Sequence, residues 1–327
     1  MIQNFQNKID EEVKKLFQEL SIPPAELYEP VRYMFSLGGK RIRPLFVLMA
    51  CDLFGGETED AIAAALAIEL FHNFTLVHDD IMDNAPLRRN QPTVHQKWNS
   101  STAILSGDVM MVKAYQLISK SKMCDALLPV FSGMAIKVCE GQQWDLNYEQ
   151  INKISVQQYF KMIELKTATL FAASMQIGAL TGGAKTDDAE RLYEFGKNTG
   201  IAFQLQDDLL DVYGEEEKFG KQKGGDIISN KKTFLLLKAI ELSSLNPYKK
   251  EELAQWLEYH PANEKESKEK VEAVKNIYDF SNVKKITEEE IHSFHQKAIA
   301  SLENIPASEE KKKLLIDFTS SLLKREA

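Results

Sequence analysis

The stretch Asp60-Ala61-Ile62-Ala63-Ala64-Ala65-Leu66-Ala67-Ile68-Glu69-Leu70-Phe71-His72-Asn73-Phe74-Thr75-Leu76 is apolar almost all round a helix, and it runs into Val77-His78-Asp79-Asp80-Ile81-Met82-Asp83. A helix of that kind belongs in the centre of a domain, because no face of it suits water. Three carboxylates at its end suit such a place badly. At helical spacing Asp79 and Asp83 stand one turn apart on the same side, with Asp80 beside them. The pattern returns further along, where the mainly apolar Gly200 to Leu205 leads through Gln206 into Asp207-Asp208-Leu209-Leu210-Asp211. One such cluster alone reads as a solvated acidic turn. Two in the same order ask for more, since like charges four apart cost a helix about 0.2–0.5 kcal/mol per pair. Carboxylates on the C-terminal side of an apolar run also gain nothing from the helix dipole. A bound cation explains both clusters. Oxygen-only ligands select a hard ion, and Mg²⁺ suits carboxylates that leave coordination positions for water and phosphate oxygens.

The rest of the chain is helical in the same sense. Phe5, Ile9, Val13, Phe17 and Leu20 recur at three- and four-residue spacing, as a first amphipathic helix would. Alternating Val/Ile/Thr runs with Asn-Gly or Asp-Gly turns are absent, so strand signals are weak. Breakers fall between helical segments at Pro23-Pro24, Gly38-Gly39, Gly55-Gly56, Gly182-Gly183 and Gly224-Gly225. No linker separates two domains. The expectation is one all-α domain over residues 1–327, with outer helices of solvated, Lys/Glu-rich faces from 246 to 327.

Composition narrows the function. The 327 residues are 44% hydrophobic and 27% charged, with 40 Lys+Arg against 48 Asp+Glu and a net charge of −8. An acidic chain without a basic tail is a poor binder of nucleic acid or anionic membrane. No run reaches the 18–20 or so uncharged apolar residues of a membrane span. Cys51, Cys124 and Cys139 show neither paired nor metal-type spacing and read as buried small hydrophobes. The first twenty residues carry Lys, Asp or Glu every few positions and lack an apolar signal core, so a cytoplasmic setting is expected.

Carboxylate-held Mg²⁺ usually completes its shell with phosphate oxygens, so phosphate-binding cations should accompany the acids. Gly38-Gly39-Lys40-Arg41-Ile42-Arg43-Pro44 supplies one set: glycines for close approach, cations, and a proline pre-set for the first helical position. Arg88-Arg89, Lys166-Thr167, Lys221 and Lys231-Lys232 are further candidates, each with solvated surface charge as the alternative reading. His72 lies two turns before Asp79 on nearly the same face, and a core histidine is its ordinary reading.

In order and spacing these residues resemble the trans-isoprenyl diphosphate synthases, the polyprenyl synthetase family. The resemblance rests on 38–44, His72, Asp79–Asp83, Arg88-Arg89, Gly141-Gln142-Gln143-Trp144-Asp145, Lys166-Thr167, Phe203-Gln204-Leu205-Gln206, Asp207–Asp211, Gly220-Lys221 and Asn230-Lys231-Lys232. All of these motifs fall within 38–233. The resemblance implies a large helical bundle around a central cavity (the isoprenoid synthase fold), paired as a homodimer. The implied reaction is Mg²⁺-dependent head-to-tail (1′–4) condensation of isopentenyl diphosphate with an allylic diphosphate (dimethylallyl, geranyl or farnesyl), with a cluster of three Mg²⁺ ions. It places Asp79, Asp83 and Asp207 on the metal, with Asp80, Asp208 and Asp211 orienting them or completing the acidic surface. Arg88, Lys166 and Lys221 would grip the allylic diphosphate. Gly39, Lys40, Arg43, His72, Arg89 and Lys231 would bind substrate diphosphate, with Lys40, Arg43, His72 and Arg89 at the isopentenyl site. Thr167 and Gln204 would sit near the forming bond, and Phe203 near the isopentenyl tail.

In this family bulk just upstream of the first acidic motif floors the tail cavity. Phe74, with Thr75 beside it and Phe71 a turn away, argues for a short product, against ordinary core packing as the alternative. The plain five-residue first motif favours geranylgeranyl (C20) over farnesyl (C15) diphosphate. Two rivals are a class I terpene cyclase, which should carry an Asn/Ser/Glu-type second motif, and a non-catalytic subunit of a heteromeric synthase, which should have lost acids or cations. The intact Asp207–Asp211 and ordered cations disfavour both.

Overall fold

The computed structural model of the chain describes residues 1–151, 153–214 and 224–324. They divide into two compact units, one of Met1–Ala135, Leu170–Gly196 and Ser301–Leu315, the other of Ile136–Thr169, Lys197–Ala300 and Ile316–Ala327.

The first unit is built on helices α1 (Ile2–Glu19), α2 (Ala25–Ser36), α3 (Ile42–Leu53) and α4 (Thr58–Met82). A two-residue hairpin follows, β1 (Leu87–Arg88) against β2 (Gln91–Pro92), then α5 (Val94–Lys97), α6 (Ser100–Ser119) and the start of α7 (Cys124–Glu149). The apolar run of the sequence is α4. It buries Ala61, Ala64, Ala65, Leu66, Ala67, Ile68, Leu70 and Phe71 against chiefly α3 and α6. Among the described residues α4 alone is long and apolar enough to cross a bilayer, but 67% of its most apolar window is buried inside the protein. Its alanines let neighbouring backbones come close, and facing glycines do the same. A Cβ on Gly107 of α6 would stand 2.3 Å from the His78 Nε2 atom, and one on Gly178 of α9 (Thr169–Thr181) would stand 2.2 Å from the Val47 carbonyl oxygen.

The second unit holds the rest of α7, then α8 (Val156–Ile163), opened by a reciprocal Ser155/Gln158 cap, and a π-helical turn over Glu164–Ala168. The C-terminal half of α10 (Thr186–Tyr213), α11 (Gly225–Ile228), α12 (Phe234–Ser243), α13 (Pro247–Glu258), α14 (Glu264–Phe280) and α15 (Val283–Leu302) complete it, with the end of α16 (Glu309–Leu323). Tyr159, Met162, Leu205, Leu209, Phe234 and Leu235 form its core together with Val271, Val274, Ile277, Tyr278, Val283 and Ile291. The segment after 246 is therefore not only a coat. Its Lys/Glu pairs, such as Lys268–Glu264 at 2.7 Å, line the solvent side while the opposite faces are core.

Each breaker pair of the sequence falls at a helix boundary. Two local expectations are corrected. Pro44 occupies the third position of α3, whose N-cap is Arg41; the first turn needs no N–H there, so proline is tolerated. Cys51 is buried, but Cys124 is half-buried and Cys139 exposed. The face of α7 that buries Phe131, Met134, Ala135 and Val138 turns Cys139 outward.

One charge inside α4 is held by a partner from the glycine loop. Arg41, in a left-handed backbone conformation (φ 49°), donates from Nη1 to Glu69 Oε1 at 2.5 Å and from Nη2 to the Phe35 carbonyl at 2.8 Å. Asn73 Nδ2 donates to the same Glu69 oxygen at 3.1 Å, and both members of the ion pair are buried. Glu69→Ala leaves the Arg41 guanidinium buried without its counterion and is expected to cost about 3–5 kcal/mol. Urea unfolding at neutral pH measures this loss, and one below 1 kcal/mol would contradict the pairing.

Candidate active site

In the first unit α4 delivers His72, Asp79 and Asp80, while the loop before α3 and the hairpin deliver the cations. Gly38 and Gly39 have φ of 80° and 140°, a backbone that side chains other than hydrogen rarely adopt. A Cβ on Gly39 would stand 3.0 Å from the Arg89 guanidinium, so the bare glycine lets that group lie against the loop. Arg43 Nη1 lies 3.1 Å from His72 Nε2 and its guanidinium packs over the Phe171 ring at 4.7 Å. A guanidinium only donates, so Nε2 accepts and the imidazole proton sits on Nδ1. Burial first, then the charges of Arg43, Arg88, Arg89 and Arg41, hold the His72 pKa well below the usual histidine value. His72 is thus a neutral orienter of Arg43. Burial, then Arg41 and Arg88, also pull Arg89 down, with Glu69 opposing.

Four arginines thus share a small region with two carboxylates that are already engaged. Glu69 holds Arg41, and Asp80 takes a two-pronged grip from Arg88, Nε to Oδ2 and Nη2 to Oδ1, both 2.8 Å. The surplus of positive charge around His72, with exposed Lys40 on the same loop, fits an incoming diphosphate.

The acidic motif divides by helical angle. Asp80 faces inward, 2% exposed and bound to Arg88, whereas Asp79 is half-buried and Asp83, the C-cap of α4, is exposed. Upstream, Phe71 is fully buried between Phe74 (ring centroids 5.3 Å apart) and Phe131 (5.6 Å). Phe74 in turn meets the His78 ring at 4.7 Å, and Thr75 Oγ1 donates to the His72 carbonyl at 2.7 Å.

The second unit gathers the remaining candidates. The π-helical turn carries Lys166 and Thr167, and Gly141 allows it to lie against α7, since a Cβ there would stand 2.2 Å from the Lys166 nitrogen. Lys166 Nζ pairs with Asp145. Burial alone would raise the Asp145 carboxyl, but Lys231 and then Lys166 hold it below the ordinary aspartate value. Thr167 Oγ1 donates to Gln204 Oε1 (2.9 Å), Gln204 Nε2 donates to Asp208 Oδ1 (2.9 Å), and Tyr159 donates its hydroxyl to Asp208 Oδ2 (2.6 Å). Burial, then Asp226, push the buried Asp208 carboxyl up to about 7, while Tyr159, Gln204 and Lys231 oppose them. Asp211 Oδ2 accepts from the Asp226 backbone N–H at 3.1 Å, and Asp207 and Phe203 are half-buried. Lys221 lies outside the described residues.

Asp79 and Asp83 in the first unit, and Asp207 in the second, are side chains reached by solvent, and the hard oxygen donors of each suit Mg²⁺ chemically. Among the described residues no three His, Cys, Asp or Glu side chains form a ready cage. The fit is therefore to an ion that brings water or phosphate oxygens to fill its octahedron. Asp145 and Arg41 stand inside the quoted family motifs without a role of their own there, and Tyr159, Asp226 and Glu69 belong to none of those motifs. Asp226 follows a glycine pair and Asp145 follows Gln142 by three, but nothing in the string marks Tyr159 or the π-helical turn.

Comparison with known proteins identifies the family. The family model described as polyprenyl synthetase matches residues 24–276. The geranylgeranyl diphosphate synthase of Methanosarcina mazei is 42% identical over 67% of this chain and 68% of its own. That of Sulfolobus acidocaldarius is 42% identical over 73% and 74%. A geranylfarnesyl diphosphate synthase of Natronomonas pharaonis is 36% identical over 66% and 69%. A crystal structure of a geranylgeranyl pyrophosphate synthase superposes with a TM-score of 0.94 at 42% identity, covering 100% of this chain and 99% of that one. The fold is the all-α isoprenoid synthase fold, and the chain belongs to the polyprenyl synthetase family as a prenyltransferase.

Proposed function

We infer that the chain condenses isopentenyl diphosphate with an allylic diphosphate and releases mainly the C20 product, geranylgeranyl diphosphate. The observation that carries this reading is the arginine cluster around His72 on the same helix as Asp79 and Asp83, a diphosphate site beside a metal-suited acidic end. The bound ions would be held by Asp79, Asp83 and Asp207, and would supply charge neutralisation of the departing diphosphate. Arg43 and Arg89, with Lys40, would hold the isopentenyl diphosphate, His72 fixing the Arg43 guanidinium. Lys166 and Lys231 would grip the allylic diphosphate, with Arg88 braced by Asp80 and Lys221 as further cations of the reading. As the allylic C1–O bond breaks, the double bond of isopentenyl diphosphate attacks C1, and a proton then leaves to the released diphosphate. The oriented oxygens of Thr167 and Gln204 offer partial negative charge to the allylic cation. Phe74, braced by Phe71 and His78, supports a short product, and the C20 relatives support C20. One domain, a cytoplasmic setting and a homodimer complete the reading. A family model spanning both units supports the first, three free thiols the second, and exposed Leu105 and Val112, two turns apart on α6, the third.

Purified protein, Mg²⁺, labelled isopentenyl diphosphate and each allylic primer should yield a C20 alcohol after dephosphorylation. No elongated product with any primer would sink the reading. Asp79→Ala and Asp207→Ala should each lower kcat by about two to three orders of magnitude, as removal of transition-state charge stabilisation does, with unchanged circular dichroism. A near-normal rate in either contradicts the metal assignment. Phe74→Ala removes a buried ring from the expected floor, so chromatography should show products longer than C20. An unchanged length distribution removes Phe74 as the floor.

The depressed His72 pKa fixes a sign for stability. The unfolded histidine takes a proton near pH 6.5 and the folded one only well below it, so acid favours unfolding. Stability of the metal- and substrate-free protein should fall as pH drops through about 6.5, with a His72 contribution approaching 1.4 kcal/mol per pH unit. The difference in melting temperature between wild type and His72→Asn, measured from pH 7.5 to 5, should shrink or invert. A constant difference contradicts a neutral His72.

A further inference from the structure

Lys270 of α14 is fully buried, 0% exposed, and lies beyond every motif recognised in the sequence. Among the described residues its ammonium has no carboxylate partner. It donates instead to Asn230 Oδ1 at 2.8 Å, the Tyr259 carbonyl at 2.9 Å and the Ile228 carbonyl at 3.4 Å. Two of these acceptors are helix ends. Ile228 is the last residue of α11, and Tyr259 is the C-cap of α13. Helix-end carbonyls lack intrahelical donors and favour a cation. Asn230 belongs to the same knot, since its Nδ2 donates to the Leu257 carbonyl at 2.9 Å, in the last turn of α13. Its φ of 54° is a left-handed conformation that asparagine tolerates.

The residue that follows is Lys231, whose backbone N–H donates to the Asp226 carbonyl at 2.9 Å and whose charge lowers Asp145 and opposes the rise of Asp208. At the other end of the segment, Gly224 (φ 73°) lies where an added Cβ would meet Val271 Cγ2 at 2.5 Å, and its N–H donates to the Asp211 carbonyl at 2.8 Å. Neighbouring residues of one helix thus fix both ends of the stretch 224–231, Val271 at Gly224 and Lys270 at Asn230. An apolar side chain at 270 would fill the space and leave the three oxygens without that donor.

We propose that Lys270 is a positioning residue, an internal ammonium that ties the ends of α11 and α13 to Asn230 and so sets Lys231 for the allylic diphosphate. This rests on the catalytic reading above for the role of Lys231. Lys270→Met keeps the stem and removes the donors. It should raise KM for the allylic diphosphate about tenfold, the worth of roughly one good hydrogen bond to a charged group, with kcat and KM for isopentenyl diphosphate within about twofold of wild type. A smaller folded fraction would lower apparent kcat and leave both KM values alone, so the split separates positioning from mere stability. Asn230→Gly keeps the left-handed turn, removes the principal acceptor and should give the same split. It also serves as the deciding variant if Lys270→Met does not fold. Folded variants with an unchanged allylic KM, or with both KM values raised equally, overturn the proposal. An inactive wild type would instead overturn the catalytic reading.

Discussion

Carboxylates gathered at the C-terminal ends of buried helices are the constraint to which the rest of the molecule answers. Asp79, Asp80 and Asp83 finish α4, and Asp207, Asp208 and Asp211 lie in the last two turns of α10, where the helix dipole works against negative charge. The structure offsets part of this with cations and hydrogen-bond donors. Arg88 takes Asp80, Tyr159 and Gln204 take Asp208, and the Asp226 N–H takes one oxygen of Asp211. Glu69 enforces the same rule higher on α4, where Arg41 must leave the glycine loop to meet it. The left-handed bend at Arg41 stands between exposed Lys40 and Arg43, which lies beside His72, so the buried ion pair anchors the loop that carries both cations.

Both motifs solve the geometry alike. At about 100° per residue, the second aspartate of each turns inward and the first keeps solvent access, so Asp80 and Asp208 are buried while Asp79 and Asp207 are half-buried. The inward residues meet different partners. Asp80 is gripped by the Arg88 guanidinium. Asp208 is met by neutral donors, and its carboxyl is pushed up to about 7, first by burial and then by Asp226. An anchor bound by neutral donors is open to rearrangement when positive charge arrives, whereas the Arg88–Asp80 fork is already satisfied.

Much of this was legible in the string. An all-round apolar run is expected to be a central helix, and α4 is that helix, buried along most of its length. Glycine pairs mark chain reversals because they adopt positive φ, and helix ends fall at each of them. Partnerships were less legible. By its residues alone His72 reads as a core histidine, and by the resemblance as a phosphate ligand, whereas the 3.1 Å contact to Arg43 and the depressed pKa make it a neutral orienter. The outward turn of Cys139 depends on which face of α7 packs, and an almost uniformly mixed helix does not announce that.

The C-terminal region shows why. Its Lys/Glu richness reads as a solvated coat, and for the i,i+4 pairs such as Lys268–Glu264 it is one. Composition treats every lysine alike, whereas Lys270, two positions further on, is buried. Helical phase makes the difference, since Ser267, Lys270, Val271, Val274 and Ile277 form one stripe at three- and four-residue spacing. A lysine in the phase of a buried stripe needs acceptors within its reach, and here they include the carbonyls that α11 and α13 leave at their ends. The charge pattern of an amphipathic helix is therefore best read by phase, with the lysine inside the apolar stripe as the informative one.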